Sequence, residues 1–258
     1  MENTDDSKTL VYIAATLYAV ITGLSFLFTK IALFTAEPLD ILAHRFTAAF
    51  ISILIPILFG LVKPDFNMKK IKKMLPLALM YPMAFFAFQT FGLQYATSLE
   101  AGILLASSPI FTLLLATFLI NEETNLLQKI SIVVSVAGVV YITLMTSSSF
   151  EISGIKGITL LILSALSISG YQVLARTSVG NFSKMELSFI MSAGGFIFFN
   201  IIAIGKHLIN KNIGAFLLPL KSIQFVLAII YLGVLSFTVT SFSINYILSK
   251  IEASKVSV

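Results

Sequence analysis

The residues most able to do chemistry in this sequence are charged or ionisable side chains embedded in long apolar runs. Arg45 lies nearly two turns inside the second run, His44 precedes it, and Lys30 lies near the end of the first. In a bilayer such residues are costly and mark functional sites by default, so Lys30 and His44 are candidates for a charge or gating role. The alternatives are headgroup contact for Lys30 and a structural hydrogen bond for His44, with Asp40 in reach four residues earlier.

Neutral polar residues occupy the interior of several other apolar runs. Amides are costly to leave unpaired, whereas single hydroxyls often serve as contacts between helices worth under about 1 kcal/mol. The predicted substrate-binding set is Ser25, Arg45, Tyr81, Gln89, Ser108, Tyr171, Gln172, Asn200 and Tyr231. Pro82 and Pro109 also lie inside runs, where proline frees a carbonyl and kinks a helix, so both are predicted hinges.

Patterns of the common catalytic and metal sites are absent from the sequence. There is no Cys and there are two His, which excludes thiol chemistry and makes a multi-histidine metal site unexpected. Phosphate-binding loops, His-Glu-x-x-His and Gly-x-Ser-x-Gly are also missing. The carboxylates all fall in loops or near the ends of apolar runs, so no buried carboxylate is expected as a proton carrier. We predict no enzyme activity, cofactor or metal, and favour a facilitator or exchanger, or a carrier whose coupling ion is handled without a carboxylate.

Membrane-spanning helices are the elements that must position these residues. The chain is 57% hydrophobic and 11% charged, with a mean hydropathy of +0.97, whereas soluble domains are about 25% charged. Apolar runs lie at 10–34, 39–62, 74–96, 99–120, 126–146, 155–175, 185–207 and 222–248, with a further one beginning at 251–258. A spanning helix needs about 20 residues. We therefore predict an all-α polytopic membrane protein with eight complete spans and the start of a ninth.

The basic residues predict how these spans are oriented. Lys and Arg are spread among short loops rather than clustered for nucleic acid, and most lie on the side of the N-terminus, above all in the loop at 63–73. The segment at 206–221 argues mildly in the opposite sense. We expect a multi-pass protein of a plasma membrane, and favour a prokaryotic one, with a cytoplasmic N-terminus. Its expected partners are lipid and a small-molecule substrate, and no nucleic acid. The sequence does not predict an oligomeric state.

A short sequence element occurs twice. The stretches at 93–101 and 244–253 share an apolar residue, an amide, Tyr, then Ser and Glu-Ala, about 150 residues apart. Five predicted spans precede the second half, so that half enters the membrane from the opposite side, as in inverted-repeat transporters with a midplane site between the repeats. We predict a tail at 1–9 and repeats at 10–146 and 155–258. Chance similarity is the alternative.

Further motifs occur in a fixed order. They are Thr-Gly-Leu-Ser-Phe at 22–26 followed by Lys30, then Arg45, Gly-Leu-Gln-Tyr-Ala at 92–96, Ala-Ser-Ser-Pro-Ile-Phe at 106–111, Glu122, Gln128 and Ala-Gly-Val-Val at 137–140. In this order they resemble the drug/metabolite transporter superfamily, in its ten-helix branch with two EamA-type repeats. Thr22, Ser25 and Glu123 depart from the Trp, Asn and Arg usual there, so the role of that Arg does not transfer.

The resemblance implies a secondary transporter of small organic metabolites, amino acids or drugs, an exporter or facilitator that works by alternating access. Ten helices in the family also imply that this chain is truncated within the ninth. Two other interpretations stay open, a non-transporting membrane scaffold or receptor and an inactive transporter fragment. An intramembrane enzyme with His44 as its base is a further alternative, though no acid at the same depth accompanies it.

Overall fold

The computed structural model describes residues 4–60, 74–120, 152–178 and 184–241, together with Ser243 and separate positions between 127 and 141. Throughout these residues the regular secondary structure is helical, with no strand. Most of the predicted run at 126–146, the run at 251–258 and the second repeat element at 244–253 lie outside the described residues.

The helices of the described residues follow the apolar runs closely. They are α1 (Thr4–Leu33), α2 (Pro38–Leu58), α3 (Met74–Gly92), α4 (Ser98–Ile120), α5 (Ile152–Ser178), α6 (Lys184–Ile209), α7 (Ile213–Leu217) and α8 (Ile223–Val239). Six of them, α1 to α6, are long and apolar enough to cross a membrane, and the segment from α7 to α8 makes a seventh if its bent halves count as one span. The predicted fold class, an all-α polytopic membrane protein, is confirmed.

Local sequence explains where several helices begin. Pro38 opens α2 at a position where its missing N–H costs little, and Asp40 lies in the first turn. A capping box opens α4: the Thr97 side chain accepts from the Glu100 N–H at 3.1 Å, and the Glu100 carboxylate accepts from the Thr97 N–H at 2.7 Å. The first repeat element therefore contains a helix start.

Three spans are interrupted within their length. In α3 the backbone leaves helical geometry at Tyr81 (φ −140°, ψ 121°), next to Pro82 and within a π-helical segment. In α4 the helix is broken at Ser107, two residues before Pro109. The second half of α8, Tyr231–Val239, is wound in wide π-helical turns. Irregular backbone of this kind often accompanies functional sites in helices.

The segment between α6 and α8 differs from the prediction. Residues 208–220 lie between the predicted runs at 185–207 and 222–248, where a connecting loop is expected, but α7 and a 3₁₀ turn at Leu218–Lys221 occupy much of this segment. The reason is its apolar sequence, from which Phe216 is buried. A 90° bend then separates this segment from α8, and the Ser222 side chain caps the new helix.

The chain forms two compact units. The first comprises Met1–Asp65 and Ser183–Val258, and the second comprises Phe66–Phe182. The first unit therefore holds α1, α2 and α6 to α8, whereas the second holds α3 to α5. Each unit combines helices from both predicted repeats.

Close backbone approach organises the first unit around α2. Gly195 of α6 lies against the Phe46 ring, where an added Cβ would come within 2.4 Å of Cδ1. Gly233 of α8 lies against α2 itself, where a Cβ would come within 2.7 Å of the Arg45 carbonyl oxygen. Because membrane helices associate through packing rather than hydrophobic exclusion from water, such small residues set how closely they approach.

Candidate functional site

Among the described residues of the first unit, Arg45 is the most deeply buried charged residue. Its side chain has no exposed surface, and Nη2 donates to the Ser236 hydroxyl at 3.3 Å. Ser236 belongs to the wide-turn half of α8, which approaches α2 closely at Gly233. A guanidinium inside a membrane-spanning unit has to meet polar groups, and here an irregular helix supplies one of them.

Asn200 fastens α6 to α2. Its Nδ2 lies 3.0 Å from the Thr47 hydroxyl, 3.3 Å from the Ala43 carbonyl and 2.9 Å from the Phe196 carbonyl of its own helix. The two amide hydrogens are thus directed at protein acceptors. These contacts give Asn200 a structural role between two helices beside any role toward a solute.

Ser25 and Tyr231 lie where α1 meets α8. The Tyr231 hydroxyl donates to the Ile21 carbonyl at 2.9 Å, and its ring stacks on Phe28 with centroids 3.9 Å apart. Ser25 is buried and donates to the Thr22 carbonyl of α1 at 2.6 Å. Lys30 lies half-buried in the last turn of the same helix. Ser25 and Tyr231 therefore satisfy backbone carbonyls of α1.

Two histidines and an aspartate form a second polar group in the first unit. His207 Nε2 lies 3.0 Å and 3.1 Å from the two carboxylate oxygens of Asp40, and both residues are buried. His44 Nε2 lies 2.9 Å from the Phe216 carbonyl oxygen, and because a carbonyl can only accept, that nitrogen carries the hydrogen. The partner expected for Asp40 from its spacing was His44, and the structure gives it His207 instead.

This arrangement also changes the inference drawn from the carboxylates. Asp40 does lie at the end of a span, as its position in the sequence indicates, but only 4% of its surface is exposed. Asp40 is therefore a buried carboxylate at the end of a span, and the absence of a carboxylate from the middle of a span stays a prediction. Position along a helix does not report burial, because α6 and α7 cover this end of α2.

Aromatic rings surround the break in α3, in the second unit. The ring of Tyr81 lies 5.2 Å from Tyr171 of α5, 5.4 Å from Phe85 and 5.5 Å from Phe86, measured between centroids. Pro82 follows Tyr81 and is buried. The break thus places a tyrosine of α3 against a tyrosine of α5 near the middle of the span.

Hydroxyl and amide groups converge next to the break in α4. Thr112 Oγ1 donates to Gln172 Oε1 at 2.8 Å, and Ser169 Oγ donates to the Ser108 carbonyl at 2.9 Å. Thr112 is buried close to the middle of α4, whereas Gln172 is exposed. The break before Pro109 leaves backbone carbonyls here, and side chains of α5 bind one of them.

Gln89 and Thr90 lie farther along α3 and are almost completely buried. Within the described part of the chain, neither Gln89 Oε1 nor Thr90 Oγ1 has a hydrogen-bond partner. A buried polar atom left unpaired costs about 1–3 kcal/mol. These two atoms are therefore available to a water molecule or to a polar solute.

The residues predicted as one set are distributed over the two units. The first unit contains Ser25, Lys30, His44, Arg45, Asn200 and Tyr231, and the second contains Tyr81, Pro82, Gln89, Ser108, Pro109, Tyr171 and Gln172. Residues that sequence reasoning missed or ranked low are Asp40, Thr112, Ser169, His207 and Ser236. For His207 a signal existed, since the predicted topology puts it on the same side of the membrane as Asp40. Among the described residues, no group of three His, Cys, Asp or Glu is placed to hold a metal.

Long apolar helices with charged and amide groups enclosed among them define a polytopic membrane protein with a polar interior. Comparison with known proteins gives the family. The model of the EamA-like transporter family matches residues 9–144 and 155–258. The chain belongs to this family, within the drug/metabolite transporter superfamily, and is a multi-pass membrane transporter, so the resemblance found in the motifs is confirmed.

Individual relatives agree with this membership. The chain is 52% identical over 250 residues to a protein of Bacillus subtilis (strain 168) named Uncharacterized transporter YcxC, across 97% of this chain and 80% of that protein. This chain is also similar to the crystal structure of another protein, with 14% sequence identity and a TM-score of 0.57. The match covers 92% of this chain and 79% of that protein's chain. The second likeness shows the fold alone.

Proposed function

We propose that this protein is a secondary transporter of small polar organic solutes, such as metabolites, amino acids or drugs, that works by alternating access in a prokaryotic plasma membrane. Export is the mode we favour, with facilitated diffusion as the alternative. The observation that carries the proposal is the Thr112–Gln172 pair, a hydrogen-bonded hydroxyl and amide of which the amide is exposed.

The depth of this pair is what makes it informative. Thr112 lies near the middle of the span Ser98–Ile120, and its hydroxyl is 2.8 Å from the amide oxygen of Gln172, which belongs to the last turn of the span Gly154–Ala175. The amide group therefore lies within the spanning part of both helices. An exposed amide facing lipid there would lack partners for its N–H groups. It is satisfied if this face of α5 meets water or a polar solute, as a substrate pathway requires.

The groups around the pair are neutral and offer both donors and acceptors. Ser108 and Ser169 lie beside it, and Tyr171 precedes Gln172 on α5 with its ring against Tyr81. A surface of hydroxyl, amide and aromatic groups suits a small solute with polar and apolar parts. It supports a neutral or zwitterionic organic substrate better than an inorganic ion.

The broken helices support alternating access. The extended backbone at Tyr81 and the interruption at Ser107 can act as hinges, because a change in the dihedral angles of a few residues there would reorient the rest of the helix. Both lie close to the proposed solute-contacting groups. Bending there would change the exposure of Gln172 without unwinding a regular helix.

Reconstitution of the purified full chain in liposomes tests the proposal. We expect uptake of at least one compound from a panel of radiolabelled amino acids and other small metabolites. Gln172→Leu, which keeps the size but removes the amide, should lower the initial rate about tenfold, the effect of losing a hydrogen bond of roughly 1.4 kcal/mol.

Ser167→Ala on the same helix is the matched control. The Ser167 hydroxyl donates to the Leu163 carbonyl of its own helix at 2.7 Å, so its removal should leave the rate within about twofold. A wild-type protein that moves no compound of a broad panel contradicts the proposed substrate class. Equal rates for Gln172→Leu and Ser167→Ala contradict the assigned site.

A further inference from the structure

We infer, on the basis of the proposed transport function, that Asp40 and His207 form a proton-binding site whose occupancy couples solute movement to protons. No coupling ion follows from the family or from the solute-contacting groups of the second unit. The pair lies in the first unit, at the start of α2 and the end of α6.

The geometry of the pair favours proton binding. His207 Nε2 faces both carboxylate oxygens of Asp40, at 3.0 Å and 3.1 Å, and the two side chains are 8% and 6% exposed. Asp40 lies in the first turn of α2 and His207 in the last turn of α6. Helix dipoles favour an anion at the first position and a cation at the second, which is the arrangement of an imidazolium–carboxylate pair.

Charge counting shows what a bound proton changes. With a neutral imidazole that donates from Nε2 to an ionised carboxylate, the buried pair has a net charge of −1. One further proton on the imidazole gives a pair of net charge zero. A net charge enclosed in an apolar protein region is costly, so loading and unloading this proton changes the electrostatic free energy of the whole cluster.

Other titratable groups near the pair are few. Toward this end of the helices of the first unit they are Glu37, His44 and the buried Arg45 of α2, Lys206 of α6, Lys30 of α1, Lys221 of the 3₁₀ turn and Tyr231 of α8, whereas α7 and Ile223–Ile230 contain none. Glu37 and Lys206 form an ion pair with each other, in which the Glu37 side chain is 68% exposed. Solvent screens that exposed ion pair. His44 is fixed by the Phe216 carbonyl.

Phe216 connects the two histidines to α7. Its ring stacks on His44 with centroids 4.4 Å apart and lies 5.8 Å from the His207 ring. Phe216 belongs to α7, the short helix that a 90° bend separates from α8. A change of charge at His207 therefore acts on the contact that holds α7, and through α7 on the start of a span.

The competing interpretation is a fixed ion pair that only fastens α6 to α2. The two interpretations differ in one observable, because a fixed pair moves no charge when the pH changes, whereas a coupling site does.

Coupling is tested by charge movement without any solute. Proteoliposomes on a solid-supported membrane are given a jump in pH, and we expect a transient current in the wild type that the double variant Asp40→Asn, His207→Gln loses. Glu37→Gln, which alters the neighbouring exposed pair, should keep it. No current in wild-type protein, or an equal current in the double variant, overturns the inference. Because no solute is needed, these results are independent of whether the proposed uptake is found.

Discussion

Arg45 is a charged residue within a span whose side chain has no exposed surface. A guanidinium in that position loses its hydration, which polar partners such as the Ser236 hydroxyl at 3.3 Å have to replace. Proteins tolerate such a group when it serves substrate binding or conformational change, since an apolar side chain of similar volume is often as stable or more so.

Arg45→Met tests whether the guanidinium serves function. The substitution keeps an unbranched side chain of similar reach and removes the charge, so we expect a melting temperature equal to or above that of the wild type and a solute flux lower by about tenfold or more. Thermal unfolding in detergent and liposome uptake measure the two effects. Ser236→Ala, which removes one acceptor and leaves the charge, should lower flux less. A variant that is strongly destabilised but still active would show that Arg45 is structural.

The sequence was enough to choose many of the candidate residues, but it did not show which residues they would contact. A polar residue inside an apolar run is visible in sequence, so Arg45, Gln89 and Asn200 could be singled out. Their partners could not be, because contacts such as Asn200 with Thr47 join positions more than 150 residues apart. Spacing suggested His44 for Asp40, but the fold brought His207 to the carboxylate and Phe216 to His44.

At the level of elements, α2 is held between two helices by glycines. Gly195 packs against the Phe46 ring, and Gly233 packs against the backbone of α2. A methyl group added at Gly233 would lie 2.6 Å from the Ala48 Cβ. Backbone atoms cannot move aside as the end of a side chain can. The contact between α2 and α8 therefore depends on the absence of a side chain at Gly233.

Gly233→Ala should consequently destabilise the protein by about 1–3 kcal/mol, the cost of overpacking a tight contact. Gly205→Ala is the matched control, because the same methyl group in α6 would meet nothing within 4 Å. In a helix that change should be neutral or stabilise by up to about 1 kcal/mol. Denaturation of both variants in the same detergent compares them. Equal stabilities would contradict the packing of α8 on α2.

Helices were predictable from the length of the apolar runs, whereas breaks within them were only partly so. Prolines pointed to the interruptions near Pro82 and Pro109, since proline removes a hydrogen bond that the helix needs. The wide turns of Tyr231–Val239 contain no proline that could have indicated them, and they include Gly233, which lies against α2. The helix α7 was not predicted because the apolar segment that contains it, residues 213–220, is too short to cross a membrane.

For the whole molecule, the grouping of helices was beyond sequence reasoning. Almost every run is apolar on all sides, so hydrophobic periodicity does not say which helix packs on which. Small residues and polar contacts decide it instead, and these join α2 with α6 and α8 in one unit and α5 with α3 and α4 in the other. The predicted repeats follow the order of the chain, whereas each compact unit draws on both.

Orientation in the membrane is the prediction that belongs to this scale. Two segments between spans contain several lysines, at 63–73 and at 206–221, and they favour opposite orientations; Lys206 is paired with Glu37, which lessens the weight of the second segment. A cytoplasmic N-terminus places residue 67 inside and residue 210 outside. Because the chain has no Cys, Asn67→Cys and Asn210→Cys each introduce a single thiol. A membrane-impermeant maleimide should label Asn210→Cys in intact cells and Asn67→Cys only after permeabilisation, while the opposite pattern would reverse the assigned topology and place the Asp40–His207 pair at the cytoplasmic face.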